Sequence, residues 1–149
     1  MALTVLDAGV VIALGDTTDV HHHAAQTAVR EAREAGARFI LPASALAEVL
    51  VGPIRAHGLA VARQRVQRML DALAIEIAQL DTEIAMQAGA LRAEHANRLR
   101  LQDALVVATA ARNHAGILTT DAGWPALASV HVTVVGRRGR RSRLSGGAH

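Results

Sequence analysis

Four acidic residues in this sequence stand apart from all other charges. Each is the only formally charged side chain of an otherwise apolar or neutral run: Asp7 in residues 1–15, Glu48 in 39–54, Asp103 in 101–111 and Asp121 in 113–136. The other acids lie mostly among arginines on helix surfaces or at expected helix caps. Carboxylates in apolar surroundings favour metal binding or acid–base chemistry over simple solvation.

The elements around these residues predict that they meet. Asp7 and Asp121 follow short apolar runs that are typical of buried strands, residues 3–6 and 117–120. Glu48 lies within about one turn of a predicted helix start, and Asp103 lies in the first turn of another predicted helix. In a parallel sheet with crossover helices, strand ends and helix starts share one edge, so we expect all four acids at that edge.

Four carboxylates in one partly buried site repel one another and lose hydration. The sequence contains no Lys, and no Arg lies inside the four runs. Oxygen-only ligands suit Mg²⁺ or Mn²⁺, and one or two such ions can activate water for in-line attack on a phosphodiester. A single acid at a strand end is more often a helix cap or turn residue, so this prediction depends on all four together.

The rest of the chain alternates between strand-like and helix-like runs. We expect five strands, at 3–6, 39–41, 75–77, 117–120 and 130–135, in an α/β fold with a central, mostly parallel, four- to five-stranded sheet. Ser44 is predicted to cap a helix that ends near Val51, before Gly52-Pro53, and Asp81 to cap a later one. Residues 1–136 are expected to form one domain, followed by an Arg-rich, flexible tail over 137–149.

Composition excludes several function classes. With no Cys and no Lys among 149 residues, disulfide frameworks, thiolate catalysis, Schiff bases and P-loop chemistry are excluded. All sixteen basic side chains are Arg; five lie after Gly136, so residues 1–136 carry eleven Arg against thirteen acids, a net −2. No run is long and apolar enough to span a membrane, and no signal peptide is apparent, so we expect a cytoplasmic protein.

Four motifs in order, LTVLDAGVVIAL, LPASALAEVL, LRLQDALVVATAARNHAG and ILTTDAGW, resemble those of the PIN domain family. The resemblance is specifically to VapC-type toxins of type II toxin–antitoxin systems. It implies a three-layer α/β/α sandwich and an Mg²⁺- or Mn²⁺-dependent endoribonuclease that leaves 5′-phosphate and 3′-hydroxyl ends. It also assigns the metal-binding and catalytic roles to Asp7, Glu48, Asp103 and Asp121, with Thr119 as a supporting hydroxyl.

The same resemblance implies partners. These are an RNA substrate, a second copy of the chain, and a cognate VapB-type antitoxin whose C-terminal segment lies across the toxin and pushes a basic side chain into the acid site. Arg98 and Arg100, just before Asp103, are candidates for phosphate contacts. The stretches 43–51 and 59–74 are candidates for the antitoxin groove, although a core role explains them equally well.

One departure from the family pattern keeps an alternative open. Such toxins usually carry Ser or Thr within two residues of the first Asp, whereas Ala8 and Gly9 follow Asp7 here. The missing hydroxyl could otherwise orient a ligand. The alternative is therefore a catalytically weak PIN-like binding module that acts through its antitoxin.

Two other interpretations are weaker. An aspartyl-phosphate phosphatase or receiver domain also places Asp after its first strand, but both rely on a basic residue, usually Lys, and the phosphatases need a second Asp where this chain has Gly9. The run His21–His23 could suggest a metal site. Three consecutive histidines diverge around a helix, so we expect a solvated helix start instead.

Overall fold

The computed structural model describes residues 2–136. Five short strands alternate with six α-helices and one 3₁₀ turn at Ala96–Arg98. In chain order the elements are β1 Leu3–Leu6, α1 Ala8–Gly15, α2 His22–Glu34, β2 Arg38–Pro42, α3 Ala43–His57, α4 Leu59–Ala72, β3 Ile75–Ala78, α5 Thr82–His95, α6 Leu101–Arg112, β4 Gly116–Thr119 and β5 Val132–Val134.

The strands form one sheet in the order β3-β2-β1-β4-β5, and all four pairings are parallel. The central strand β1 pairs on both sides: Val5 lies opposite Ile40 of β2 and Ile117 of β4. The prediction of a five-stranded, mostly parallel sheet is confirmed. Because β2 and β3 lie to one side of β1 and β4 to the other, the chain reverses its direction across the sheet after β3.

Because of this reversal, the crossover helices before β3 and those after it lie on opposite faces of the sheet, which gives three layers. With right-handed crossovers, α1 to α4 cover one face of the sheet, and α5 and α6 cover the other. The core between the layers is aliphatic: Val5, Leu6 and Leu41 of the strands are fully buried, as are Val11 of α1 and Val107 of α6. Burial of these runs on both faces explains why they are continuously apolar instead of alternating. The α/β/α architecture predicted from the sequence is therefore confirmed.

Two predictions about α3 are wrong. The helix starts directly after Pro42 with no side-chain cap, so Ser44 lies inside it, and it continues through Gly52-Pro53 to His57. A proline in mid-helix removes one hydrogen bond, but the turns after Pro53 pack on α4 and are thereby held in place. Gly58, at φ +80°, then closes a tight α3–α4 hairpin in a conformation that other residues rarely adopt.

Other elements differ less from expectation. Asp81 caps α5 as predicted, accepting a hydrogen bond of 2.9 Å from the Ile84 N–H. The fifth strand, Val132–Val134, is shorter than 130–135, although the flanking His131 carbonyl and Val135 N–H also hydrogen-bond to β4. Across residues 2–136, none of the helices has the length and apolar character needed to cross a bilayer. The predicted Arg-rich tail, 137–149, lies outside the described residues.

Candidate active site

The strand-borne acids, Asp7 and Asp121, lie at the carboxyl ends of the neighbouring strands β1 and β4. The Asp7 N–H donates to the Leu118 carbonyl (3.0 Å), and its Oδ1 accepts from the Ala8 N–H (2.8 Å), so this side chain caps α1. The fully buried Thr119 hydroxyl donates to Asp7 Oδ2 (2.8 Å) and accepts from the Asp121 N–H (3.1 Å). Thr119 therefore connects the two acids and fixes one oxygen of Asp7.

The helix-borne acids approach the same edge from the sides. Asp103 lies in the first turn of α6 and is 7% exposed. Glu48 is exposed and lies in the second turn of α3, two residues further from the helix start than predicted, because the helix begins at Ala43. The Gln102 amide donates to the Ser44 carbonyl (2.8 Å), which ties α6 to α3. Sequence reasoning missed this contact, which sets the spacing between the two helices.

The acids influence one another electrostatically. Burial raises the pKa of Asp7, and the Asp121 charge adds to that increase, although hydrogen bonds from Thr119 and Ala8 partly oppose it. The pKa of Glu48 is raised by burial first and then by the Asp7 and Asp103 charges. We call Asp7, Glu48, Asp103 and Asp121 the acid cluster, because the fold brings all four within electrostatic reach, as predicted.

One arginine partly offsets the acid cluster. Arg100 Nε lies 3.3 Å from Asp103 Oδ2, with the Arg100 side chain 77% exposed. This cation lowers the pKa of Asp103, but burial and the charges of Asp7 and Asp121 outweigh it and raise that pKa. The other substrate-binding candidate, Arg98, lies exposed in the 3₁₀ turn before α6. One cation facing four carboxylates leaves a negatively charged site.

The donor set fits a hard divalent cation. All four donors are carboxylates, and their shared environment disfavours the charged forms of Asp7, Glu48 and Asp103. The carboxylates do not yet form a closed coordination shell: in residues 2–136, no three acidic or histidine side chains are grouped closely enough to share an ion.

Gly9 explains part of the departure from the family pattern. A Cβ at this position would lie 2.4 Å from the Thr120 hydroxyl oxygen, well inside any real contact distance. A larger residue is therefore disfavoured while Thr120 is present. Two hydroxyls, those of Thr119 and Thr120, thus come from the β4 side of the site, and no signal in the local sequence around Asp7 could reveal them.

The histidine run differs from the prediction in one respect. His22 is buried, and its Nδ1 donates to the Ala13 carbonyl (2.7 Å), so the run does not form a fully solvated helix start. This bond holds the start of α2 against the end of α1. Among the described residues, the histidine run does not form a metal-binding group.

A groove of about 550 Å³ leads away from the acid cluster between α1, α3 and α4. Its floor is mostly apolar, with Glu48 at one end and His57 and Arg65 at the other; the apolar lining includes Val11, Ile12, Val49 and Met69. Residues from both stretches predicted as antitoxin surfaces, 43–51 and 59–74, line this groove. They also contribute buried core residues such as Val66, which confirms a core role for part of both stretches; their use as an antitoxin groove stays a prediction.

Comparison with known proteins agrees with this architecture. Residues 4–130 match the model of the PIN domain family. No curated protein matches the sequence significantly. Among solved structures, VapBC2 from Rickettsia felis, bound to a promoter DNA fragment, superposes with a TM-score of 0.72 at 12% identity, covering 89% of this chain and 98% of that one.

Two further structures are similar. VapC20 of Mycobacterium tuberculosis, described as a toxin that cleaves the sarcin–ricin loop, has a TM-score of 0.61 at 17% identity, with 76% of this chain and 86% of that one covered. A toxin–antitoxin complex from Klebsiella pneumoniae has a TM-score of 0.59 at 25% identity, over 85% and 97% of the two chains. Because the family model spans most of the described sequence, this chain belongs to the PIN domain family, whose VapC-type members are generally nucleases.

Proposed function

We propose that this protein is the toxin of a type II toxin–antitoxin pair and acts as an Mg²⁺- or Mn²⁺-dependent endoribonuclease. The observation that supports the proposal is the acid cluster: four carboxylates from distant segments lie within electrostatic reach of one another in a chain of the PIN domain family, and Arg100 pairs with one of them. A cluster of this charge needs a cation to approach a phosphodiester.

Asp7, Glu48 and Asp103 would hold the principal ion, and Asp121 would complete the pocket or contribute to a second ion. When bound, the ion supplies Lewis-acid activation of the attacking water and offsets the charge that develops around phosphorus. Thr119 keeps Asp7 Oδ2 oriented through its 2.8 Å hydrogen bond. Arg100, whose side chain is exposed, and Arg98, nearby in sequence, would contact a phosphate of the substrate.

The alternative, a catalytically weak PIN-like binding module, depends on the missing hydroxyl at positions 8 and 9. The Thr119 hydroxyl bonded to Asp7 favours the nuclease, because it provides an orienting contact from another strand. The alternative predicts tight antitoxin binding without metal-dependent cleavage.

The deciding experiment measures cleavage of total RNA by the purified full chain with Mn²⁺, with Mg²⁺ and with EDTA. We expect cleavage with either metal, none with EDTA, and a loss of at least about 100-fold in Asp103→Asn, because a ligand carboxylate is removed. Asp71→Asn, at an exposed position on α4, is the matched control and should cleave normally. Metal-independent cleavage, or full activity in Asp103→Asn, would overturn the proposal.

We further propose that a VapB-type antitoxin covers the groove beside Glu48. Two of the similar solved structures are toxin–antitoxin complexes, and the groove offers an apolar floor next to the acid cluster. Met69→Asp would place a charge on that floor. We expect this variant to bind the antitoxin more weakly than the parent does in a direct binding measurement; equal affinity of variant and parent would show that the antitoxin does not cover the groove.

A homodimer is also proposed. Met86 is 66% exposed and Leu80 is 48% exposed, and residues 84–91 of α5 carry no charge, so an apolar surface faces outward here. Light scattering of the full chain should give the molar mass of a dimer. The Met86→Arg variant should give a molar mass closer to that of a monomer. A parent mass of one copy at all concentrations would contradict the dimer.

A further inference from the structure

The α3–α4 hairpin is strongly basic. Residues 49–70 contain four arginines and no acid, whereas the described part of the chain as a whole is slightly acidic. The four are Arg55, Arg63, Arg65 and Arg68, all exposed. The ion pairs found among residues 2–136 include none of them. Their charge is therefore available to an outside partner.

One of these arginines, Arg65, lines the groove that starts at the acid cluster, and another, Arg55, lies on the face of α3 that carries Glu48. Arg55 follows Glu48 by seven residues, which places both on the same face of α3 about 10 Å apart along its axis. Arg65 lines the groove directly, and its Nη1 lies 3.1 Å from His57 Nε2. The groove thus has Glu48 at one end and Arg65 with His57 at the other, and Asp16 at the end of α1 also lines it.

Arg63 faces elsewhere. It lines a separate shallow depression with Ala60, Gln64 and Gln67, and it does not border the groove. Residues 63 and 65 point about 200° apart around a helix axis, since each residue turns the helix by about 100°. The same helix therefore offers both a groove arginine and a matched arginine away from it.

We propose that Arg55 and Arg65 bind the phosphodiester backbone of the RNA strand that leads away from the cleavage point, along the edge of the groove. The inference rests on the proposed function. With a divalent ion at the acid cluster, both ends of the groove become attractive to anions. A nucleic-acid strand carries negative charge along its whole length, so it matches both ends of the groove when the ion is bound.

The test measures the affinity of a short fluorescent single-stranded RNA of mixed sequence by anisotropy, with Mg²⁺ and over a series of salt concentrations. Asp103→Asn serves as the background so that the RNA survives. The double variant Arg55→Gln/Arg65→Gln is compared with Arg30→Gln/Arg63→Gln, which removes the same charge from exposed positions outside the groove. The control thus corrects for the general loss of positive charge.

We expect the groove variant to bind about tenfold more weakly and to lower the slope of log K against log salt by about 1.4, since each phosphate contact to a single strand contributes about 0.7. The control should keep the slope of the background protein. Equal slopes for both variants would overturn the inference while leaving the nuclease intact, and the arginines would then serve another partner. Absence of metal-dependent RNA cleavage by the unsubstituted chain would overturn the proposed function, and the inference with it.

Discussion

The acid cluster and the α3–α4 hairpin carry opposite charges and are built in opposite ways. The acids come from four segments between Asp7 and Asp121, and two of them are almost fully buried. The hairpin arginines come from one continuous stretch and stand in solvent. Chemistry at phosphorus requires oxygens held at fixed positions, which only a packed core provides, whereas attraction of a polyanion requires only charge within reach.

The largest contrast should appear in the kinetics. Glu48→Gln removes a charge at the acidic end of the groove, so we expect kcat for RNA cleavage to fall by about 100-fold or more with little change in KM. The Arg55→Gln/Arg65→Gln variant should instead raise KM with a nearly unchanged kcat. Glu31→Gln on α2 is the control for Glu48→Gln. A Glu48→Gln protein that keeps its kcat would remove Glu48 from the catalytic set.

Thr119 tests whether the buried part of the acid cluster is preorganised. Thr119→Val keeps the shape of the side chain but removes the hydrogen bond to Asp7, so Mn²⁺ affinity should fall by about 10- to 100-fold. Titration calorimetry with Mn²⁺ measures this directly. Thr133→Val, at an exposed position on β5, should bind Mn²⁺ as the parent does. Unchanged affinity in Thr119→Val would show that the hydroxyl does not orient the ligand.

The repulsion and burial of the acids should lower the thermal stability of the metal-free protein. Because burial raises the pKa of Asp7, the folded protein disfavours this charge, and Asp7→Asn should raise the metal-free Tm by about 2–4 °C. The increase in Tm on adding Mg²⁺ should become smaller. Thermal melts with and without metal check both changes; a variant that is less stable without metal and responds normally to it would contradict this explanation.

The same pKa shifts predict a pH dependence. The pKa values of Asp7, Glu48 and Asp103 are raised on folding, so between the ordinary carboxyl pKa, about 4, and the raised values the folded state binds more protons than the unfolded state. The contribution of these groups to the free energy of unfolding should therefore increase as pH falls through that window. Asp7→Asn should reduce this gain, whereas Arg65→Gln should not; equal profiles for Asp7→Asn and the parent would contradict it.

The smallest expected effect concerns Gly9 and Thr120. A methyl group at position 9 meets the Thr120 hydroxyl at 2.4 Å, while the Thr120 Cβ lies at an ordinary 3.6 Å. Gly9→Ala should therefore be more favourable in a Thr120→Ala background than in the parent, by about 1 kcal/mol of coupling in a double-mutant cycle. Denaturant unfolding of the four proteins measures it. If the two substitutions change the free energy of unfolding additively, the Thr120 side chain rotates away from position 9 without loss of stability.

Much of the fold could be predicted because its signals are local. The apolar runs before Asp7 and Asp121 indicate strands, and a helix with Asp103 in its first turn is predicted and observed as α6. The end of α3 could not be predicted in this way, since tertiary packing on α4 carries the helix past Pro53. The contact between α6 and α3 through Gln102 was missed for a related reason: a side chain bonded to a distant carbonyl leaves no pattern in sequence.

The four acids of the acid cluster can be identified in the sequence because each lies far from other charges, and the sheet topology predicts that they come together. The sequence does not indicate which of them are buried. Asp103, in the first turn of α6, is nearly buried, whereas Glu48, in the second turn of α3, is exposed. The arginine neighbour of Asp103 was also underestimated. Arg100 lies just outside the apolar run, and a three-residue spacing on a helix start was enough to bring it into contact.

The hydrogen bond from Gln102 to the Ser44 carbonyl has a mechanical consequence. It fastens the first turn of α3 to the first turn of α6, so the gap between Glu48 and Asp103 depends on how α3 is seated. A ligand in the groove that binds best at one position of α3 relative to α6 will change the affinity of the acid cluster for an ion. The ion will in turn change the affinity of the groove for that ligand by the same factor. Binding of a ligand in the groove then changes ion binding at the acid cluster although the two ligands do not touch.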